Sequence, residues 1–275
     1  AWLVSVCDFP GRKFFSWALL LPLAMPAYII AYTYTGLLDF AGPVQSILRD
    51  ITGWQYGEYW FFNIRSLPGA IIMLTLVLYP YVYLLARAAF LEQSPSILEV
   101  GRTMGYGNRL GMLRLALPMA RPAIVTGLTL ALMETLADYG TVQYFGVSTF
   151  TTGIFRTFYG FGDVAAAAQL ASVLLGFVVL LMALERYSRR QARYHTVKGH
   201  SIRRIYLTKG KALLAVWVCA FPLLFGFFIP AVQLLYWSLF EAVIGESFST
   251  LAWNSFYLAF IAACIAVSFA LVLAY

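Results

Sequence analysis

The sequence predicts an all-α fold, a polytopic transmembrane bundle of about six helices, and three features of its composition support this. Of the 275 residues, 61% are hydrophobic and only 11% are charged, whereas a soluble domain carries about 25% charged residues. The mean hydropathy is +0.78, so too few polar side chains remain to cover a surface that faces water. The aromatic content of 17% fits the belts of Trp and Tyr found at membrane interfaces.

Six apolar segments have a length near the roughly 20 residues that a membrane-spanning helix needs. They are residues 15–34, 67–89, 122–137, 164–184, 212–239 and 253–275. Several contain proline, which frees a backbone carbonyl and kinks the helix axis. Lipid tolerates such a break only where a neighbouring helix or water satisfies the freed group. We therefore expect the spans to pack together as a bundle.

The distribution of Lys and Arg predicts the orientation of the bundle. Basic residues concentrate in segments 185–211 and 91–121, whereas segments 35–66 and 138–163 hold few of them. We expect the first pair to face the cytoplasm and the second pair to face outward. This placement explains the net charge of +7 without a nucleic-acid partner.

The loop 91–121 contains a polar segment punctuated by glycines. Ser96 and Glu99 have the spacing of a capping box, which opens a helix, and Gly105 and Gly107 are suited to ending one. The segment 95–104 is therefore predicted to be a short helix outside the bilayer. One face of that helix would carry apolar or small residues, namely Ile97, Val100, Gly101 and Met104.

This loop resembles the cytoplasmic EAA loop of importers of the ATP-binding-cassette (ABC) superfamily. The family pattern reads Glu-Ala-Ala, three residues, Gly, nine residues, Ile-x-Leu-Pro. Here it is matched at Glu99, Gly105, Leu115, Leu117 and Pro118, while Val100 and Gly101 replace the two alanines and Leu115 replaces Ile. The resemblance implies a type I permease that docks a separate ATPase. The sequence contains neither a Walker-type phosphate loop nor a credible Ser-His-Asp arrangement, so the chain itself is not expected to be an enzyme. The docking loop it implies comprises Ser96, Glu99, Val100, Gly101, Met104, Gly105, Leu115, Leu117 and Pro118.

Four further segments, residues 21–28, 79–90, 134–142 and 149–156, resemble permeases of bacterial ferric-iron importers. This resemblance implies a multi-pass protein of the bacterial inner membrane with two fused permease modules. Its implied partners are a dimer of cytoplasmic ABC ATPases and a periplasmic substrate-binding protein. Permeases for thiamine, sulfate and polyamines share the architecture, so another solute stays open. A secondary transporter driven by an ion gradient is the alternative of a different class.

The chain divides into three predicted segments. Residues 1–200 are expected to form most of a first permease module, 201–211 a basic cytoplasmic linker, and 212–275 the start of a second module. We expect both modules to be incomplete in this sequence.

Two acidic residues, Glu134 and Asp138, lie four positions apart near the third predicted span, and this spacing places them on one helix face. Acids within a membrane normally face a protein interior or a water-filled path. They are therefore candidates for the translocation path, although capping or an outer-boundary position is the alternative, especially for Asp138. His195 and His200 lack acidic or cysteine neighbours, so no metal site or cofactor is predicted.

Overall fold

The computed structural model describes residues 1–55, 57–92, 101, 103, 105–190, 204–240 and 248–274. These residues are almost entirely helical, which confirms the predicted all-α class. The chain forms two compact units, residues 1–232 and residues 233–275. The second unit consists of the end of one helix and one long helix whose side chains are exposed along its length.

Thirteen helices are labelled here within the described ranges. They are α1 Trp2–Val6, α2 Arg12–Ala18, α3 Ala27–Leu38, α4 Pro43–Thr52, α5 Leu67–Glu92, α6 Asn108–Gly111, α7 Leu117–Ala137, α8 Gly140–Tyr144, α9 Phe150–Phe155, α10 Val164–Arg190, α11 Lys209–Leu223, α12 Ile229–Phe240 and α13 Phe248–Ala274. A 3₁₀ turn covers Leu21–Ala24, and π-helical turns cover Met112–Ala116, Arg156–Gly160 and Leu224–Phe228. Two short strands, β1 Cys7–Asp8 and β2 Ile205–Tyr206, pair in parallel.

Five helical stretches are long and apolar enough to cross a membrane, and they correspond to the second to sixth predicted spans. They are Leu67–Glu92, Met112–Ala137, Val164–Ser188, Lys209–Phe240 and Phe248–Leu273. The third predicted span, 122–137, was wrong at its start, because the helix begins ten residues earlier. Arg114 and Arg121 gave this part the composition of a loop, but a long basic side chain at the end of a span reaches the interface while its backbone stays helical.

The first predicted span, 15–34, is broken rather than merely kinked. The pieces Arg12–Ala24 and Ala27–Thr52 meet at an angle of 89°, and the break falls at Met25 and Pro26. Proline at 22 and 26 removes two backbone donors within five residues, so a continuous hydrogen-bond ladder is not available there.

Contacts along α5 show that this broken segment still makes one pass across the bundle. The Trp2 ring lies 5.3 Å from Phe90 near one end of α5. The Tyr79 hydroxyl donates to the Leu19 carbonyl at 2.8 Å near the middle. Asp39 pairs with Arg65 at 3.2 Å just before the other end. The order of these contacts makes the first pass antiparallel to α5.

The strand pair places the chain start and the segment before α11 on one side of the bundle. Cys7 pairs with Ile205 and Asp8 with Tyr206, and the Leu207 amide donates to the Asp8 carbonyl at 3.3 Å. From there α11 packs on the first pass. The shared core contains Val4, Cys7, Phe9, Phe15, Ala18, Leu19, Tyr83, Ala212, Ala215, Cys219 and Leu223.

Glycines allow α5 to approach its two neighbours closely. A Cβ on Gly127 of α7 would lie 2.7 Å from the Val82 Cα, and one on Gly226 would lie 2.8 Å from the Leu76 carbonyl oxygen. In a regular helix the Leu76 carbonyl would accept a hydrogen bond from the N–H of residue 80, but Pro80 has no N–H. Small residues at such crossings are a common basis of helix packing in membranes.

Three tyrosine hydroxyls donate to backbone carbonyls at the irregular parts of these helices. Tyr34 donates to Phe225 at 2.6 Å, Tyr79 to Leu19 at 2.8 Å and Tyr83 to Ser16 at 3.1 Å. The Phe225 carbonyl lies in the π turn, where it would accept a hydrogen bond from the N–H five residues later. That residue is Pro230, which has no N–H. The Leu19 carbonyl likewise precedes Pro22 by three residues, the spacing of a 3₁₀ bond. Tyr34 and Tyr79 therefore supply donors that proline removes.

We predict that Tyr34→Phe lowers the free energy of unfolding by about 1–3 kcal/mol, because it leaves the part-buried Phe225 carbonyl without its donor. Thermal or denaturant unfolding of the purified protein in detergent measures this. Tyr187→Phe is the matched control, since Tyr187 is exposed and should change stability little. Equal stability of the two variants would contradict the donor role.

Candidate functional site

The helix in the loop 91–121 ends at Gly105, as its sequence predicts. Gly101 and Thr103 are helical, Gly105 has a φ of +78°, and the Tyr106 amide donates to the Gly101 carbonyl at 2.8 Å. This six-to-one bond around a left-handed glycine is a Schellman ending. The prediction for Gly107 was wrong, because its carbonyl accepts from Gly111 at 2.9 Å and so opens the next helix, α6.

The two halves of the predicted docking loop meet at Gly101. This glycine is buried, and a Cβ on it would lie 2.9 Å from Leu115 Cδ1. Arg114 lies over the Tyr106 ring at 5.7 Å and adds a second contact between the halves. Ser96, Glu99, Val100 and Met104 lie outside the described residues, as do His195 and His200.

Leu115, Leu117 and Pro118 lie on a continuous helix that becomes the membrane span. The π turn Met112–Ala116 closes with the Leu117 amide donating to the Met112 carbonyl, and α7 follows directly. Pro118 cannot donate to the carbonyl four residues before it, and a wider turn accommodates that loss. The end of the motif is thus part of a helical rod that enters the bundle as α7.

At its other end, α7 reaches a pocket of about 270 Å³. The pocket lies beside Leu74, Val77, Leu78 and Tyr81, near the middle of α5, and beside the break at Met25 and Pro26. Its other lining residues are Leu23, Ala27, Tyr28, Glu134, Asp138 and Gly140. Two interruptions of the helices, at 25–26 and at 138–139, therefore converge at mid-depth in the bundle. Irregular backbone at such depth occurs where it is buried in protein or lines a water-filled cavity.

The two candidate acids have different surroundings in this pocket. Glu134 is exposed to it and makes no hydrogen bond or ion pair with any residue in the described ranges. Asp138 accepts from the amides of Thr141 and Val142, each at 3.1 Å, and from the Thr141 hydroxyl at 3.0 Å. Asp138 thus caps the helix α8, which is the alternative that the sequence favoured for it.

The predicted shared helix face was wrong in detail, because α7 ends at Ala137 and Asp138 already has extended backbone geometry. The acids nevertheless line one pocket. The polar lining consists of these two carboxylates and the phenols of Tyr28 and Tyr81, and the lining includes no Lys, Arg or His. Sequence reasoning missed both tyrosines. The signal for Tyr28 was its position two residues after Pro26.

The described residues hold no group of three or more His, Cys, Asp and Glu side chains that is arranged for a metal ion. Cys7 and Cys219 are buried and Cys264 is exposed, and all three thiols are free.

Residues 7–194 match the family described as "Binding-protein-dependent transport system inner membrane component". This segment is well over half of the chain. The chain belongs to this family. Together with the five or six apolar passes, family membership makes it a multi-pass membrane protein with the type I permease fold.

Relatives within this family transport several solutes. The chain is 27% identical over 242 residues, 86% of its length, to the Fe(3+)-transport system permease protein FbpB 2 of Haemophilus influenzae. It is 25% identical over 202 residues, 70% of its length and 85% of the relative, to the molybdenum transport system permease protein ModB of Escherichia coli. It is 25% identical over 192 residues, 66% of its length and 65% of the relative, to the sulfate transport system permease protein CysT of Escherichia coli. The chain spans 43% of the length of the Haemophilus relative.

We predict that the two acids differ when each is replaced. Asp138→Ala should lower the free energy of unfolding by about 1–2 kcal/mol, because it removes the cap of α8. Glu134→Gln should leave stability within about 0.5 kcal/mol of the parent, because the carboxylate has no partner to lose in the described part of the chain. Unfolding in detergent measures both, and a larger loss for Glu134→Gln than for Asp138→Ala would contradict these roles.

Proposed function

We propose that this chain is the membrane permease of an ATP-driven importer in the bacterial inner membrane, supplied by a periplasmic substrate-binding protein. One observation carries the proposal. The end of the docking motif, at Leu115 to Pro118, is continuous with α7, and α7 leads to the mid-depth pocket at Glu134. A force applied to the loop is therefore transmitted along one helix to the pocket.

The docking loop is proposed to bind a dimer of cytoplasmic ABC ATPases. Closure of the ATPase on ATP would move the loop, and α7 would carry that motion into the bundle. Rigid elements that shift between two packings are a common means of such switching. The contact of Gly101 with Leu115 supports this role, because it joins the motif helix to the start of the rod.

The pocket is proposed to lie on the translocation path, with Glu134 facing the solute. Discontinuous helices near the bilayer midplane form the substrate sites of many transporters. Here both breaks border the same cavity, and Glu134 is unpartnered within the described ranges. Asp138 is proposed to hold the second break in place rather than to contact the solute.

Ferric iron is proposed as the solute. Carboxylate and phenol oxygens are hard ligands that suit a hard cation, whereas an oxyanion such as molybdate or sulfate needs positive charge or N–H donors. The pocket offers the first chemistry and no basic side chain. The match to the ferric relative is also longer than the 7–194 family segment.

The module division predicted from sequence is carried forward as a proposal, with 1–200 in a first module, 201–211 as linker and 212–275 in a second. Packing of α11 on the first pass is compatible with it, since a helix of one module can pack on another.

Transport by the intact protein tests the proposed function. Proteoliposomes that contain it with its ATPase and binding protein should take up radiolabelled ferric iron only with ATP, and an uncoupler should not stop uptake. Uptake without ATP that collapses with the proton gradient would instead support the secondary transporter. Uptake of molybdate or sulfate in place of iron would overturn the cargo and leave the ATP-driven class intact.

For the docking loop we predict that Gly105→Val abolishes copurification of the ATPase while membrane insertion is kept. A β-branched residue is strained at the φ of +78° that ends the motif helix. Gly162→Val is the matched control, because Gly162 also has a positive φ, +67°, and open space around it, but lies in the predicted outer loop. Loss of the ATPase in both variants, or in neither, would contradict the assignment.

A further inference from the structure

The short helix α4 has two polar residues turned inward and three apolar residues turned outward. Gln45 is buried and Arg49 is half-buried. Val44, Ile47 and Ile51 are 41%, 57% and 79% exposed. These three apolar positions fall on one side of the helix, since their spacing of three and four residues follows the helical period.

Hydrogen bonds fix this orientation. The Gln45 side-chain amide donates to the Leu38 carbonyl at 2.8 Å and accepts from the Tyr59 hydroxyl at 2.7 Å. The Arg49 guanidinium donates to the Phe40 carbonyl at 3.0 Å and to the Tyr59 hydroxyl at 3.2 Å, and it lies 4.2 Å from the centroid of the Phe40 ring. Rolling the helix to bury its isoleucines would break all of these contacts, so the apolar side is held outward by the fold.

Such an arrangement is unfavourable in water, because it leaves large apolar side chains in contact with solvent. It is favourable where lipid replaces water. The helix begins five residues after Leu38, the end of the first pass, so its start lies at most about 18 Å from that end of the bundle. Trp54 and Trp60, which follow it, are 46% and 85% exposed, and exposed Trp is typical of the membrane interface.

We propose that α4 lies in the interfacial layer of the outer leaflet, with Val44, Ile47 and Ile51 among the upper acyl chains and Trp54 and Trp60 at headgroup level. Asp39 and Arg65, which also lie at this end, form an ion pair of half-exposed groups and fit the headgroup zone. The α4 face is then a lipid-binding surface that fixes the depth and tilt of the broken first pass. This inference needs only that the chain spans a membrane and does not depend on the solute.

Spin labelling of the intact protein tests the placement. Single cysteines are introduced as Ile47→Cys, Ile51→Cys and Asp50→Cys after the native cysteines are replaced by serine. The labelled protein is reconstituted in vesicles of phosphatidylethanolamine and phosphatidylglycerol. Labels at 47 and 51 should collide several-fold more with oxygen than with a water-soluble nickel chelate, and the label at 50 should show the reverse preference.

Higher nickel than oxygen access at 47 and 51 would overturn the proposal by placing the face in water. Low access to both reagents would also overturn it, because a protein surface would then cover the face. A second measurement uses no spin label, so its result stands even if labelling disturbs folding. Brominated lipid should quench fluorescence of the parent more than that of Trp60→Phe, and equal quenching would count against the interfacial position.

Discussion

The organisation of this protein depends on one requirement, that every backbone polar group within the bilayer has a partner. Prolines interrupt the helices at several depths, and each interruption removes a donor that lipid cannot replace. The hydroxyls of Tyr34, Tyr79 and Tyr83 supply donors at three irregular points. Because the donors come from helices other than those they satisfy, the broken segments hold their shape only when the bundle is assembled.

This requirement also connects the breaks to function. A continuous bundle of regular helices has no site at mid-depth where backbone and side-chain polar groups meet. Here the interruptions at Met25 and at Asp138 open such a site beside the centre of α5. The Asp138 carboxylate satisfies the amides of the second break, whereas Glu134 lines the same pocket without a partner in the described ranges. We therefore propose a structural role for Asp138 and contact with the solute for Glu134.

The helix α7 links this pocket to the loop that carries the docking motif. Its start contains the last residues of the motif, and its final turn contains Glu134. Because α7 packs closely on α5 at Gly127, we expect the two helices to move together. The proposed coupling therefore needs few moving parts, namely the motif helix, the rod and the two breaks.

Composition and hydropathy were sufficient to predict the class and five of the passes, because length and apolarity decide whether a helix spans a membrane. The fixed spacing from Glu99 to Pro118 predicted the family. The start of the third pass was misjudged because Arg114 and Arg121 resemble loop residues, although their charges lie at the end of the span. The break at Met25 and the position of Tyr28 and Tyr81 in the same pocket as Glu134 depend on contacts between distant segments, which one sequence does not reveal. The outward apolar face of α4 was likewise hidden, because its amphipathic pattern does not say which side faces the protein.

Access of water to the pocket at the two breaks is the property on which the proposed path depends most. Single cysteines, Glu134→Cys and Tyr28→Cys, are introduced into the intact transporter without native cysteines and exposed to a membrane-impermeant thiol reagent. The control is Leu132→Cys, because Leu132 is exposed and lies two residues from Glu134, on the opposite side of α7. We expect positions 28 and 134 to react at rates that ATP and binding protein change, and position 132 to stay protected by lipid. Protection of 28 and 134 in every state, or equal reaction at 132, would show that the breaks do not line a water-filled path.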